Sequence, residues 1–191
     1  MKSMIRLVIR SAAVAAALAG AGTAGANEVR PMLKLGYDTG GDTLATVVLD
    51  GKTRSIKANE GLYGGGGMSL VSDDRTLEAE LTLSYKFLSI QATDGDVIWE
   101  RFPFEGLVFY RFPQVRVGGG FTYHLSPKLY GHGVVSGLNT NFNNAFGTIL
   151  QGDYRLTEKM NLGLRFTFLT YTVGGASVNS NGVGINLSVS F

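Results

Sequence analysis

The chain has 191 residues, of which 27 are glycine, 4 are proline and none is cysteine; 45% are hydrophobic and 17% are charged. So much apolar content with so little charge excludes a disordered chain, and zero cysteines exclude a disulfide scaffold, a Cys-based zinc site, a thiol nucleophile and a lipid-modified N-terminal cysteine. A formal charge of +2 with no basic cluster argues against a nucleic-acid binder.

The first segment reads as an export signal. Lys2, Arg6 and Arg10 precede an uncharged run rich in Ala, Val and Leu, and Ala24-Gly25-Ala26 is a small-x-small cleavage site before Asn27. The apolar run is too short for a membrane-spanning helix, which takes roughly 20 residues. The expected organisation is therefore a cleaved signal peptide over 1–26 and one domain over 27–191. Removing the signal removes three cations and no anions, so the mature chain carries fourteen cations against fifteen anions, a net −1.

From there the hydrophobic period is two. Residues 32–38 put Leu33, Leu35 and Tyr37 on one face and Lys34 and Asp38 on the other. Residues 62–70 are glycine-rich and of ambiguous facing. Residues 77–87 alternate Leu77, Ala79, Leu81, Leu83, Tyr85 and Phe87 with Glu78, Glu80, Thr82, Ser84 and Lys86. Residues 104–112 set Phe104, Val108, Tyr110 and Phe112 against Glu105, Leu107, Phe109 and Arg111. Residues 115–125 set Val115, Val117, Phe121, Tyr123 and Leu125 against Arg116, Gly118, Gly120, Thr122 and His124. Residues 146–154 place Phe146, Leu150 and Tyr154 opposite Gln151 and Asp153. In 160–168, Met160, Leu162, Leu164, Phe166 and Phe168 alternate with Asn161, Gly163, Arg165 and Thr167. The last strand, 182–191, alternates Val183, Ile185, Leu187, Val189 and Phe191 with Gly184, Asn186, Ser188 and Ser190. Successive strand side chains point to opposite faces, so each segment has an apolar and a polar side. Turn residues lie between them, at Asp50-Gly51, 72–74, Asp94-Gly95, Pro113-Gln114, 126–144, 156–158 and 174–181.

A soluble barrel faces its apolar side inward; a membrane barrel reverses this. Three features favour the membrane. The polar faces carry five cations (Lys34, Lys86, Arg111, Arg116, Arg165) and five anions (Asp38, Glu78, Glu80, Glu105, Asp153), a set that can neutralise itself inside a lumen. With the N-terminus in the periplasm, the aromatics sort into two rims: Tyr110, Phe112, Tyr154 and Phe191 at one, Tyr37, Tyr85, Phe87, Phe104, Tyr123, Phe146 and Phe168 at the other. Aliphatics fall between them, as expected of two interfacial girdles. The connections assigned to the periplasm are short, and 126–144 and 173–181 are long outer loops.

Membrane strands take roughly 9–11 residues, so eight need about 80 and sixteen would leave almost no loop. Ten strands would send 44–49 and 53–57 through the bilayer with Arg54 or Lys57 facing lipid, at roughly 2–4 kcal/mol near the midplane. Residues 43–59 are read instead as the first two strands continuing beyond the membrane and turning at Asp50-Gly51. Pro103 abuts the fourth strand, where a closed sheet has no edge to shelter it, so a bulge or strand end is expected there. The fold class is all-β: an eight-stranded antiparallel up-and-down transmembrane β-barrel.

These residues resemble the small outer-membrane barrels of Gram-negative bacteria, of the OmpA transmembrane-domain and OmpX type, from Pro31 to Phe191. The most specific element is the chain end, where Leu187, Val189 and Phe191 look like the family's insertion signal; Asn186 stands where some forms of it have glycine. The resemblance implies a salt-bridged, plugged interior, an outer-membrane location, contact with lipid and lipopolysaccharide, handling by the barrel-insertion machinery, and a monomer without cofactor. It does not fix a function, because such folds host anchors, adhesins, small pores and lipid-modifying enzymes.

Other motifs are weak. His124 and Ser126, two apart, could suggest an ester-cleaving pair, but they sit on the inward parity, away from lipid. A hydrogen-bonding lumen histidine and a turn serine fit better. His132 falls in the outer loop. Asp38-Thr39-Gly40-Gly41-Asp42 lacks the spacing of a calcium loop, and Gly64 to Gly67 lacks the Lys-Ser/Thr and the helix of a phosphate loop. The expected role is a non-catalytic structural or surface-interaction barrel with a closed lumen. A narrow passive pore, favoured by small inward residues Gly118, Gly120, Gly163 and Gly184, and a lipid-modifying enzyme are the alternatives.

Overall fold

The computed structural model describes residues 26–191; the export-signal reading of 1–26 falls almost wholly outside them. Twelve strands follow in chain order: β1 (Ala26–Gly40), β2 (Thr43–Leu49), β3 (Lys52–Lys57), β4 (Gly61–Ser72), β5 (Leu77–Gln91), β6 (Gly95–Arg111), β7 (Val115–Gly133), β8 (Asn139–Asn141), β9 (Ala145–Arg155), β10 (Met160–Val173), β11 (Ala176–Asn179) and β12 (Gly182–Ser190). Eight of them close a ring of antiparallel ladders. β1 pairs β4, then the order runs β5, β6, β7, β9, β10 and β12, and β12 returns to β1 with Met32 opposite Ser190 and Gly40 opposite Gly182. Closure leaves the ring with no free edge, which is what lets a sheet sit in lipid with its backbone groups satisfied.

The eight predicted strands all lie within this ring, and the facing is inverted. Leu33, Leu35, Leu83, Val117, Leu150, Leu162 and Ile185 are exposed on the outer wall, with Leu164 at 62%. Their sequence neighbours Lys34, Ser84, Arg116, Gln151, Asn161, Arg165 and Asn186 are buried. The apolar exterior and polar interior are those of a membrane barrel. The ladders also fix height. At the end with short turns, Tyr110 lies opposite Leu77 and Val117, and Tyr154 opposite Val115 and Leu162. At the other end Tyr37, Leu62 and Phe87 are level, as are Phe104, Tyr123 and Phe146. Rings at that end stack or tilt together, Tyr85 on Phe87 at 5.4 Å and Phe121 on Phe146 at 6.0 Å.

The structure departs from the sequence reading at the long-strand end. Residues 43–59 do not continue β1 and β4 but form a separate two-stranded sheet, β2–β3. Gly40, Gly41 and Gly61 take positive φ (120°, 82° and 153°), breaking strand continuity on both sides of the hairpin. Its turn is at Asp50-Gly51 as expected, both with positive φ, the two-residue geometry that matches strand twist. The segment 126–144 is largely strand rather than loop: β7 runs on to Gly133 and is met by β8. Likewise 174–181 is a tight Gly174-Gly175 turn followed by β11.

Pro103 sits inside β6, not at its end. Having no N–H, it costs the β5 ladder two pairs: bridges run from Leu83–Phe104 to Lys86–Arg101 without a change of register. A bulge lies beside it in the ladder to β7, between Glu100 and Phe102. Ser126 takes φ 48° there, and the inward parity of β7 moves from His124 to Pro127 and Leu129.

Candidate functional site

Inside the ring, Lys34, Asp38, Glu78, Glu80, Lys86, Glu105, Arg111, Arg116, Asp153 and Arg165 are all buried. They form one unbroken chain of ion pairs along the barrel. Starting near the short-turn end, Arg111 Nε meets Glu78 at 3.3 Å. Glu78 meets Arg116 Nη1 at 2.9 Å, and the same nitrogen meets Glu80 at 2.6 Å. Arg116 Nη2 reaches Asp153 at 2.7 Å, and the guanidinium lies 4.1 Å from the Phe109 ring centre. Lys34 then bridges Glu80 (3.7 Å) and Glu105 (3.4 Å). Glu105 pairs with Arg165, which also donates to the Tyr63 hydroxyl at 3.0 Å and lies 3.9 Å from Asp38. Asp38 finally meets Lys86 at 2.5 Å.

Alternating parity is what brings these groups together. Each sits on the inward face of its strand, and cross-strand registers such as Arg116 opposite Asp153 or Lys34 opposite Gly65 set the layers. Taking ten charges out of water is costly, and mutual pairing in a low dielectric is what offsets it. Such a network is not by itself a source of stability. It does leave these ten charges balanced against one another, with a small apolar cluster of Leu107, Phe109 and Ile149 alongside.

The inward glycines do not leave room. A Cβ on Gly118 would land on the Val108 carbonyl oxygen and one on Gly120 on the Gly106 carbonyl oxygen; at Gly163 and Gly184 it would land on the Asp153 and Asp38 carboxylates. These positions are glycine because a neighbouring strand or a paired carboxylate already fills the space, which removes the argument that they widen a pore.

Several lumen residues escaped the sequence reading. Arg101 is buried and lies on the Trp99 ring at 4.8 Å, donating to the carbonyls of Asn59 and Glu60. It shares the inward parity of Glu105, so extending the fourth strand through Pro103 would have found it. Tyr63 lay in the ambiguous glycine-rich strand. Tyr171 lay beyond the end assigned to the seventh strand.

The weaker motifs are separated. His124 is buried, and its Nδ1 shares a 2.5 Å hydrogen bond with the Tyr171 hydroxyl, while Ser126 is exposed at the bulge. His132 pairs with Asp96 at 3.1 Å on the outside of the long-strand end. Asp38 is in the lumen whereas Asp42 accepts from the Asn179 amide, so 38–42 encloses no ligand set. At the chain end Leu187 and Val189 are half-buried on the outer parity; Phe191 is exposed, its amide donating to the Pro31 carbonyl at 2.9 Å.

No protein-family model matches the chain, and no curated protein matches it. Among solved structures it is similar to Ail, the attachment invasion locus protein of Yersinia pestis, with a TM-score of 0.48 and 9% identity over 85% of this chain and 96% of that one. Neisserial surface protein A gives a TM-score of 0.48 and 10% identity over 85% of this chain and 97% of that one. The outer membrane protease OmpT from Escherichia coli gives 0.37 and 10%, over 87% and 98%. These are likenesses of fold alone; the assignment to the small membrane β-barrels stands on the chain's own closed ring and inverted facing.

Proposed function

We propose that the protein is an integral barrel of the Gram-negative outer membrane, of the OmpA-domain and OmpX type, with a non-catalytic structural or surface-interaction role. The observation that carries this reading is the unbroken ion-pair chain: the lumen is occupied along its length by side chains that neutralise one another. The short turns at residues 73–76, 112–114 and 156–159 face the periplasm, and the long outer parts of β6 and β7 stand above the far rim as the surface offered to partners. Lipid and lipopolysaccharide surround the wall, the C-terminal Leu187, Val189 and Phe191 serve recognition by the insertion machinery, and the barrel works as a monomer without cofactor.

The lipid-enzyme alternative loses its pair, since Ser126 is not beside His124 in the lumen. Purified protein in planar bilayers is expected to give no sustained discrete openings. Reproducible unitary conductance would overturn the closed-lumen reading in favour of a pore.

A further inference from the structure

Above the ion-pair chain lies an apolar chamber, occupied by its own side chains and those of the β2–β3 hairpin that covers it. Its walls are Trp99, Leu129, Phe142, Leu169 and Tyr171, all buried, with Phe142 and Tyr171 edge-on to the Trp99 ring at 5.3 and 5.5 Å. The hairpin presses Val47, Leu49 and Ile56 into it. Yet the hairpin belongs to no ladder of the ring, and it joins β1 and β4 through the positive-φ glycines 40, 41 and 61.

The hairpin's return also occupies the chamber's donors. Trp99 Nε1 donates to the Ala58 carbonyl at 3.0 Å, Arg101 Nη2 to the Asn59 and Glu60 carbonyls at 3.0 and 2.8 Å, and Lys86 Nζ to Asn59 Oδ1 at 3.0 Å. The six other buried cations among the described residues, Arg30, Lys34, Lys86, Arg111, Arg116 and Arg165, each meet a carboxylate. Among the described residues Arg101 meets none, and its buried Nε and Nη1 have no hydrogen-bond acceptor. A buried cation with only neutral partners favours an anion over the carbonyls that now solvate it.

We propose that this chamber is a lidded binding site for a long-chain carboxylate, with β2–β3 as the lid. The lid's apolar side chains stand where the chain of the ligand would lie, and its Asn59 and Glu60 carbonyls stand where the carboxylate would meet Arg101. Opening swings the hairpin about its glycine stems and exchanges these contacts for those of the ligand; no bond is made or broken. The site lies above Lys86, so it stands or falls independently of whether the lumen below conducts.

Trp99 is the single tryptophan of the chain and so reports on the chamber alone. The test is quenching of its fluorescence by a brominated stearic acid, with the folded protein in phosphatidylcholine vesicles. The brominated acid is expected to quench in a saturable way, and the brominated alcohol of equal chain length to bind at least about tenfold more weakly, reflecting the lost charge-assisted contact. Brominated phosphatidylcholine is expected not to quench. The Asp50 amide donates to the Asp94 carboxylate at 3.1 Å, so an Asp50→Cys/Asp94→Cys pair can tie the lid tip to the β5–β6 turn. Oxidation of that pair should abolish quenching and reduction restore it. Absence of quenching by the acid, equal quenching by the alcohol, quenching by the brominated phospholipid, or quenching that survives the oxidised tie would overturn the proposal.

Discussion

Arg116 shows how much one lumen side chain can carry. Among the described residues it is the only cation in contact with three carboxylates, Glu78, Glu80 and Asp153, and it also donates to Ser188. Arg116→Met keeps an apolar stem near Phe109 but leaves the buried Asp153 carboxylate with only the Gln151 amide and no cation, and Glu80 with only Lys34 at 3.7 Å. The expected loss is about 3–5 kcal/mol, read as a lower urea midpoint for the folded, fast-migrating species on gels. Adding Glu80→Gln and Asp153→Asn should recover part of it, because removing both sides of a buried pair is cheaper than removing one. At the exposed turn after β4, Asp74 has a different role. Hydrogen bonds from the Ser72 hydroxyl and from the Thr76 amide and hydroxyl hold its carboxyl down to about 2. A carboxyl depressed on folding stabilises above its unfolded pKa of about 3.9 and loses that contribution as pH falls through the folded value. The Thr76 amide resonance should therefore titrate with a midpoint near 2; a midpoint near 4 would mean the turn is not held by Asp74.

At the scale of the strand, parity decides what a substitution does. Leu164 and Arg165 are adjacent, but one meets lipid and the other Glu105. Leu164→Arg is expected to cost roughly 2–4 kcal/mol of barrel stability in bilayers, while the same change at exposed Thr53 of the hairpin should cost little. Gly120→Ala drives a methyl into the Gly106 carbonyl of the next strand, an overpacking expected to cost about 1–3 kcal/mol in the same unfolding measurement. This alternation is also why the ring was legible in sequence. A period of two over 77–87 or 160–168 fixes both the strand and its inward set, and the ten charges follow from that set. The hairpin and the chamber were not legible for a physical reason. In the membrane-spanning part apolar means outward, but above the far rim the same strands turn apolar residues inward. Val97, Trp99 and Leu129 share inward positions with Arg101 and Pro127, so a single rule of facing misplaces them. The bulge at Ser126 then shifts the parity of β7 midway. Nothing local in 43–59 distinguishes a strand extension from a folded-back lid except the glycines at its stems.

The whole molecule joins a closed ring, an apolar wall between two aromatic rims, and a lumen of paired charge within that wall. These stand together, because a charged lumen is tolerable only if the outer wall, not the interior, faces the apolar solvent. The chain has no native cysteine, so the facing can be read one residue at a time. Single cysteines along β10, at Leu162, Leu164, Phe166 and Phe168 and at the intervening Asn161 and Thr167, would each carry a nitroxide in reconstituted vesicles. Collision with oxygen, which concentrates in the bilayer, is expected to be high at the first four and low at Asn161 and Thr167. High oxygen access at Asn161 and Thr167 with low access at Leu162 and Leu164 would contradict the inverted barrel outright.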